Sequence, residues 1–379
     1  MVAGDVFDVT NPSNQARELY YEFLGQLAKT RCWGAVIIGG NHDSPTMLDA
    51  PRDVLRSLNL HVVGAARAQV QNQVLEVAGW GDPEPRLLVA AVPYLRERDL
   101  RNTKPGETAE ERLAGLRAGI RDHYAAVAEA ATAARRNPDI PILATGHLFA
   151  GGATDHPEKK SHIYQADEHN IDEEQFPDCF DYVALGHVHR AQSVGESGRI
   201  RYAGSLIPLT FVEGQQPRSV RLVELGKAGE PVVSRSIRVP YFRPLHRMHQ
   251  SLAEVRQAIR NAVAVADGAT AGAGLVPWAE VRVKTEESIP NLRQTLLDTI
   301  SEASGDDRRS PGLEVLRISQ ERPRSAPAAA PLEQKQLDEL DPAEVFAGVL
   351  ATEGYGPERT TELLADFRDL YGWMKDEEL

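Results

Sequence analysis

Four short clusters of aspartate, asparagine and histidine hold the residues whose types and spacing suit metal chemistry. In chain order the clusters are Gly4-Asp5-Val6-Phe7-Asp8, Gly40-Asn41-His42-Asp43, Gly146-His147 and Gly186-His187-Val188-His189. This mixture of oxygen and imidazole donors suits manganese, iron or zinc better than calcium. A carboxylate such as that of Asp5 can bridge two divalent ions, which lie ~3.5–4 Å apart in two-metal sites. The clusters therefore indicate most of a two-metal phosphoesterase site.

The elements that must position these clusters are strands. Apolar runs typical of buried strands precede three clusters, at Ala35–Ile38, Ile140–Leu143 and Tyr182–Leu185, and Met1-Val2-Ala3 looks like the end of one more strand. A glycine before each ligand allows a sharp turn. Any one of these pairs of glycine and a polar residue, taken alone, is common in loops and polar turns. Four in order, each at a strand end, favour a metal site.

The order of the motifs resembles the calcineurin-like metallophosphoesterase superfamily. Longer stretches resemble its branch of SbcD nuclease subunits over nearly the whole chain: GDVFD, GGNHDSP, GHLFAGG, YVALGHVHRAQ and YAGSLIPLTFVE. The resemblance implies an α/β (α+β) fold, with a metallophosphoesterase β-sandwich flanked by helices, a small α/β capping domain and a C-terminal helical segment. It also implies two divalent ions, with manganese expected, and a homodimer.

The resemblance also implies a role for each ligand. Asp5 matches the bridging carboxylate, and His189 matches a ligand of the second ion. The remaining ligands of the first ion are Asn41, His147 and His187.

Residues beside the metals are expected to act on the substrate. His42 matches a histidine that binds no metal and serves as general acid or charge stabiliser at the scissile phosphate, and Asp8 matches its carboxylate partner. Such a pairing fixes the imidazole tautomer. Arg190, beside the last histidine pair, and Ser205, in the following turn, are candidate contacts to DNA phosphates.

The sequence departs from the family at its beginning. Members start with a strand ending in Asp-x-His, which supplies two more ligands to the ion that His189 serves, and no such motif precedes Asp5 here. Either an internal methionine stands first, or the protein has lost one ion and acts as an inactive subunit. We favour the first explanation because every other ligand is retained. We expect the gene to encode, in frame upstream of Met1, a strand ending in Asp-x-His.

Composition indicates a cytoplasmic protein of more than one domain. The chain has 379 residues, of which 42% are hydrophobic, and no apolar stretch long enough to span a membrane. Its two cysteines, Cys32 and Cys179, do not provide a disulfide framework. The net charge of −13 does not exclude DNA binding, because charges are screened over roughly 8 Å at cellular salt and local basic patches decide affinity. Arg199 and Arg201 are equally well interpreted as phosphate contacts or as solvated loop arginines.

The chain divides into four predicted parts. Residues 1–235 form the nuclease domain, which includes a helix over Ala109–Arg136, and residues 236–321 form the capping domain. Residues 322–332 form a linker rich in proline and alanine, and 333–379 form a helical partner-binding segment. From Tyr241 to about Gln320 the pattern predicts strand, helix, strand, helix, strand. The helices are expected at Ala253–Val265 and Asn291–Ala303, and the second and third strands at Trp278–Lys284 and Leu313–Ser319.

Two amphipathic helices are expected after the linker. Asp341-Pro342 begins the first, Gly354 ends it and Pro357 begins the second. Their apolar stripes include Val345, Phe346, Leu363 and Phe367. The helices could fold back on the body of the protein, but docking onto a partner fits better. The resemblance implies that this partner is a coiled-coil ATPase like SbcC. This sequence itself lacks a Gly-x-x-x-x-Gly-Lys-Ser/Thr loop, so ATP is expected to bind to the partner.

The function expected from these features is that of a nuclease subunit in an ATP-dependent complex that processes DNA ends and hairpins in repair and recombination. One alternative is a small-substrate phosphoesterase with the same metals, which a chromogenic phosphodiester compared with hairpin DNA would distinguish. The other is an inactive scaffold subunit, which metal content would distinguish.

Overall fold

The structure is a computed structural model, which describes residues 1–79, 81, 84–101, 105–151, 153, 171–268, 275–286, 288–305, 312–321, 342–353 and 357–377. The chain divides into two compact units. The first comprises Met1–Arg247 and Ala269–Ala279, and the second comprises Met248–Gly268 and Glu280–Leu379.

A parallel three-stranded sheet begins the first unit. Its strands are β1 (Val2–Ala3), β2 (Ala35–Ile38) and β3 (Leu60–Val63), in the order β1-β2-β3. Three helices connect them: α1 (Asn14–Leu27), α2 (Pro45–Asp49) and α3 (Arg52–Arg56). Serine side chains at positions 13 and 44 cap α1 and α2 by accepting backbone N–H bonds.

A second sheet of six strands follows. Its strands are β4 (Val74–Ala78), β5 (Pro85–Ala90), β6 (Ile142–His147), β7 (Tyr182–Gly186), β8 (Gln192–Val194) and β9 (Ile200–Tyr202). The order is β4-β5-β6-β7-β9-β8, with the central four strands parallel and both edge strands antiparallel. Helices α4 (Glu97–Leu100) and α5 (Ala109–Ala134) lie between β5 and β6 in sequence. Thus α5 ends two residues before the predicted Arg136.

Alternating side chains stack these elements in layers. Val36 and Ile38 of β2 share one apolar cluster with Val89 and Leu143 of the second sheet. Side chains on the opposite face of β2, such as Ile37, pack with α1 to α3. The outer face of the second sheet packs against α5. The unit is therefore a sandwich of two sheets flanked by helices, which confirms the predicted fold class.

The rest of the described chain contains a hairpin and a small α/β arrangement. The antiparallel hairpin pairs β10 (Arg218–Glu224) with β11 (Val233–Val239). A three-stranded sheet follows in the order β12 (Leu245–Gln250), β13 (Trp278–Lys284) and β14 (Glu314–Glu321). Helices α6 (Leu252–Gly268) and α7 (Leu292–Ser304) pack on each other. Each helix and strand predicted in this region is present. β13 lies at the predicted residues, and α6, α7 and β14 are shifted by one to three residues at their ends.

Two C-terminal helices complete the description, α8 (Pro342–Glu353) and α9 (Pro357–Glu377). The predicted linker 322–332 and the predicted helix-end residues Asp341 and Gly354 lie outside the described residues. The domain boundaries at 235 and 321 stay predictions. Among the described helices, none has both the length and the apolar composition to cross a bilayer.

Candidate metal centre

Four of the five predicted metal ligands lie where the carboxyl ends of strands from both sheets meet. Asp5 follows β1, Asn41 follows β2, and His147 is the last residue of β6. His187 directly follows β7, in which Gly186 pairs with His147 in parallel register. Because β1 contacts both β6 and β7, four loops that are distant in sequence reach one place.

The donor atoms of four ligands converge closely. Nε2 of His147 lies 3.0 Å from Oδ1 of Asn41 and 3.1 Å from Oδ2 of Asp5. Nδ1 of His187 lies 3.1 Å from the same Asn41 oxygen. Ligands bound octahedrally to one ion by bonds of about 2.1 Å are separated by about 3.0 Å along each edge. The spacing of these atoms therefore fits a divalent ion, and Asp5, His147 and His187 form the converging ionisable group found among the described residues.

The backbone at two of these ligands lies in the left-handed region. Asp5 has φ 49° and His187 has φ 94°, a conformation that costs about 1–3 kcal/mol for residues other than glycine. Gly4 precedes Asp5 at φ 86°, and a Cβ there would collide with the ring of His147. A Cβ at Gly186 would collide with the carbonyl oxygen of Ala3. Both glycines are therefore needed for the close approach of β1 to β6 and β7.

Hydrogen bonds orient the buried ring of His147. Its Nδ1 lies 2.7 Å from the carbonyl oxygen of Ala3. Since a carbonyl oxygen only accepts, Nδ1 carries a proton, and Nε2 is the ring nitrogen that faces the oxygens of Asn41 and Asp5. Burial alone would raise the pKa of Asp5, but the hydrogen bond and charge of His147, helped by the backbone N–H of His42, outweigh it and hold that pKa below its ordinary value. The centre thus brings an ionised carboxylate, an amide oxygen and imidazole nitrogens to one point, where a divalent cation would be stabilised.

His42 and Asp8 are brought together through the main chain of Asp8. Nδ1 of His42 lies 2.7 Å from the carbonyl oxygen of Asp8, so this contact leaves Nε2 as the nitrogen that can face a substrate. The backbone N–H of His42 donates to Oδ1 of Asp5 at 3.1 Å. The orientation of the ring therefore comes from the loop backbone. The role expected for the Asp8 carboxylate, as the partner of His42, stays a prediction.

His189, two residues after His187, has a carboxylate partner instead. Its Nδ1 lies 3.0 Å from Oε1 of the buried Glu213. Ser205 donates its backbone N–H to the His189 carbonyl oxygen at 3.2 Å, and its Oγ accepts from Arg218 at 2.9 Å. Arg190 is exposed. The structure thus joins His189 and Ser205 in one hydrogen-bonded group, with Arg190 next to it in sequence.

Sequence reasoning missed three buried polar residues that hold the ligand loops. Asp43 accepts backbone N–H groups from both loops of the first ligand set, while Glu213 and Arg218 support His189. Asp43 stands inside the GGNHDSP motif and Glu213 inside YAGSLIPLTFVE. Their signal in the sequence is an acidic residue at the end of a loop, which can accept backbone N–H groups. Arg218 begins a strand and carries no comparable signal.

Arg199 and Arg201, for which the sequence left two interpretations open, form hydrogen bonds with loop carbonyl oxygens. Arg199 donates from Nη1 to the carbonyl oxygens of Pro177 and Phe180, at 3.0 and 3.2 Å. Nε of Arg201 donates to the carbonyl oxygen of Gly198 at 2.8 Å. These bonds favour a role in shaping loops over a role as phosphate contacts.

The predicted partner-binding residues lie on α8 and α9. The rings of Phe346 and Phe367 stack with their centroids 4.4 Å apart and an interplanar angle of 14°. Val345 remains exposed and Leu363 half-buried. The phenylalanines therefore contribute to the packing of the two helices on each other, and part of each apolar stripe is used within the pair.

Comparisons with known proteins extend over most of the chain. Residues 241–353 match the family model SbcD_C, described as the type 5 capsule protein repressor C-terminal domain. The chain is 31% identical over 353 residues to the SbcD subunit of the SbcCD nuclease from Escherichia coli (strain K12), which covers 93% of this chain and 82% of that protein. The corresponding SbcD protein of Rhodobacter capsulatus is 34% identical over 256 residues, covering 65% of this chain and 61% of that protein. The likeness is therefore not restricted to the metal motifs.

Proposed function

This chain belongs to the family of SbcD nuclease subunits, and from that premise we propose that it hydrolyses phosphodiester bonds of DNA at a two-metal centre. The observation that carries the proposal is the convergence of Asp5, Asn41, His147 and His187, whose donor atoms are connected by three contacts of 3.0–3.1 Å. With His189 as a ligand of the second ion, Asp5 would serve both. Manganese is the metal we expect from the family resemblance, and a ligand set that mixes imidazoles with hard oxygens is compatible with it, as with iron or zinc.

Bound ions of this kind lower the pKa of a coordinated water and offset charge on the phosphate. The protein's own residues supply the positioning. The loop backbone holds His42 through Nδ1, so that the ring in its imidazolium form would donate the Nε2 proton to the departing oxygen and keep the Nδ1 proton. Arg190 and the Ser205 hydroxyl, beside His189, would bind the phosphate groups on either side of the cleaved bond.

A coiled-coil ATPase resembling SbcC is the partner we assign to α8 and α9. The relative from Escherichia coli is named as one component of the SbcCD nuclease. After the two helices have packed together, Val349 and Leu370 remain 50% and 56% exposed. Apolar side chains that stay exposed on a helix pair are suited to docking in a partner's groove. The part of the chain that contains β12, β13, β14, α6 and α7 would restrict and orient DNA.

A homodimer is also proposed. On α1, Leu19 and Phe23 are 66% and 47% exposed, and their separation of four residues places them on one face of the helix. Exposed apolar residues side by side favour a protein contact, and a second copy of α1 is the partner we propose. A cytoplasmic location stays a prediction from the sequence.

The test is cleavage of hairpin-capped duplex DNA by the purified chain with Mn²⁺, compared with a chromogenic phosphodiester. We expect cleavage of the hairpin that a chelator abolishes and that Asp5→Asn removes together with bound manganese. Asp139→Asn, which alters an exposed acid paired with Lys227, serves as the control and should behave like the wild type.

Hydrolysis of the chromogenic substrate without cleavage of DNA would favour a small-substrate phosphoesterase. A chain that binds no manganese and cleaves neither substrate would favour the inactive scaffold. Either result would contradict the proposed function.

A further inference from the structure

A buried ion pair stands behind His189. The carboxylate of Glu213 is 1% exposed and the guanidinium side chain of Arg218 is 4% exposed, with Nη2 of Arg218 3.4 Å from Oε2 of Glu213. Burying two charges is costly unless their hydrogen bonds are satisfied, and among the described residues every buried polar atom of this pair except Nε of Arg218 has a partner. Glu213 directs Oε1 to Nδ1 of His189 at 3.0 Å, and its Oε2 accepts the backbone N–H of Leu209 at 3.1 Å. The pair is thus built around one side of the imidazole ring.

Arg218 holds the main chain of the same histidine. Its Nη1 donates to the carbonyl oxygen of His189 at 2.8 Å, and its Nη2 donates to the carbonyl oxygen of Glu213 at 2.7 Å. One guanidinium therefore fixes the backbone of His189 and the residue that contacts its ring. A pair that only filled the core would not need to reach both parts of one histidine.

We propose that Glu213, held by Arg218, is a positioning residue that keeps His189 in the tautomer and orientation needed to bind a divalent ion through Nε2. An ionised carboxylate only accepts, so it requires the proton of His189 on Nδ1 and leaves the Nε2 lone pair for a metal. A carboxylate partner also makes the imidazole a stronger ligand. His147, by contrast, is oriented by the neutral carbonyl of Ala3. The proposal rests on the proposed function, in that His189 is taken as a metal ligand.

Glu213→Gln tests the proposal because a glutamine amide has one accepting end and one donating end. The end near Oε2 faces two donors, Leu209 N–H and Arg218, so the amide oxygen should turn there. The NH₂ group then faces Nδ1 of His189, which must become an acceptor. The ring proton moves to Nε2, and the nitrogen that binds metal is blocked.

The first measurement is the tautomer of His189 in metal-free protein. Long-range ¹H–¹⁵N spectra of histidine-labelled chain report which nitrogen is protonated, and the His189→Asn spectrum assigns the signals. We expect the proton on Nδ1 in the wild type and on Nε2 in Glu213→Gln. The second measurement is a titration with Zn²⁺ as a diamagnetic probe. Reaching the same ¹⁵N shift at His189 should need ~10- to 100-fold more Zn²⁺ in the variant, while His147 and His187 respond as in the wild type.

The matched control is Glu173→Gln. Glu173 also accepts backbone N–H bonds, from Glu196 and Ser197, on a different loop, and this variant should leave the His189 tautomer and its Zn²⁺ response unchanged. The proposal is overturned if Glu213→Gln keeps the Nδ1 proton, if its His189 responds to Zn²⁺ like the wild type, or if wild-type His189 does not respond at all. If these responses occur as expected but the wild type fails to cleave DNA, the nuclease function is wrong and the positioning role stands.

Discussion

Asp43→Asn should weaken metal binding even though Asp43 is not assigned as a ligand. Its buried carboxylate accepts three backbone N–H groups: Val6 and Gly40 at 3.1 and 2.8 Å on Oδ2, and Phe7 at 2.9 Å on Oδ1. Two of these donors follow Asp5 and the third precedes Asn41. The side chain therefore ties together the two loops that present those ligands.

The magnitude follows from which bonds an asparagine can keep. Its oxygen can serve the two N–H groups on one side, but its NH₂ then faces the N–H of Phe7, and that donor is left unpaired. Burial raises the pKa of Asp43, and the three N–H bonds oppose that rise. The charged carboxylate is therefore costly to bury, and replacing it with the neutral asparagine recovers part of that free energy. A single unsatisfied buried donor costs about 1–3 kcal/mol, which is the loss of unfolding free energy we expect. Releasing the loop after Asp5 should weaken Mn²⁺ binding ~10- to 100-fold, as for other supporting residues behind metal ligands.

Urea unfolding of the metal-free chain and calorimetric titration with Mn²⁺ measure the two effects separately. Asp49→Asn is the matched control, because Asp49 accepts the N–H of Gly64 at 2.8 Å and pairs with Arg67 after the next strand of the same sheet, where no ligand lies. It should lose a similar amount of stability and keep the wild-type affinity for Mn²⁺. If Asp43→Asn also kept that affinity while losing stability, Asp43 would support the fold alone and our reasoning would be refuted.

Three further predictions test other parts of the proposal. His42→Ala should abolish DNA cleavage and leave bound manganese nearly unchanged, whereas His187→Ala should lower both; loss of manganese from the His42 variant in a metal assay would refute its role as an acid. Deleting residues after Pro331 should leave the cleavage of single-stranded DNA near normal and abolish co-purification with the ATPase. Val349→Asp should weaken binding to the ATPase at least ~100-fold in a titration, because it places an unpaired charge in an apolar contact. Unlike Phe346→Asp, it should leave the packing of α8 on α9 intact. Phe23→Asp should convert the proposed dimer to a monomer in light scattering, and an unchanged mass would exclude this face of α1 as the dimer contact.

The strands that carry the ligands could be predicted because their signals are local. The run Ala35–Ile38 is found as β2 at the predicted residues, and Tyr182–Leu185 is β7 with one more residue. The strand predicted from Ile140 begins at Ile142 instead, after Pro141, which has no N–H to give to a sheet. Continuous apolar runs are long enough to identify buried strands, but the residues that end them depend on pairing with neighbours.

The supports behind the ligands could not be predicted because they are long-range or come from the main chain. The carbonyl oxygens that orient His147 and His42 belong to Ala3 and Asp8, and every residue type carries a carbonyl, so the sequence holds no signal for them. Arg218 lies 29 residues after His189, and only folding brings it to that backbone. The role of Asp43 could not be predicted for a different reason. Its motif indicated a loop that presents ligands, but not which side chain accepts the backbone N–H groups that hold this loop.

These supports explain how a strained backbone can persist at two of the proposed ligands. Asp5 and His187 both occupy left-handed backbone conformations, which together cost about 2–6 kcal/mol, a large share of the ~5–15 kcal/mol that holds a typical protein folded. The surroundings must therefore determine these conformations. Around Asp5 they do so through the carboxylate of Asp43 and the close contact of Gly4 with His147. Histidines oriented by carbonyl groups should tolerate substitution of the residue that provides the carbonyl, whereas His189 depends on one side chain. A substitution at Glu213 would therefore act on the proposed second ion position through the histidine ring itself, whereas Asp43→Asn would act on the first position through the loop backbone.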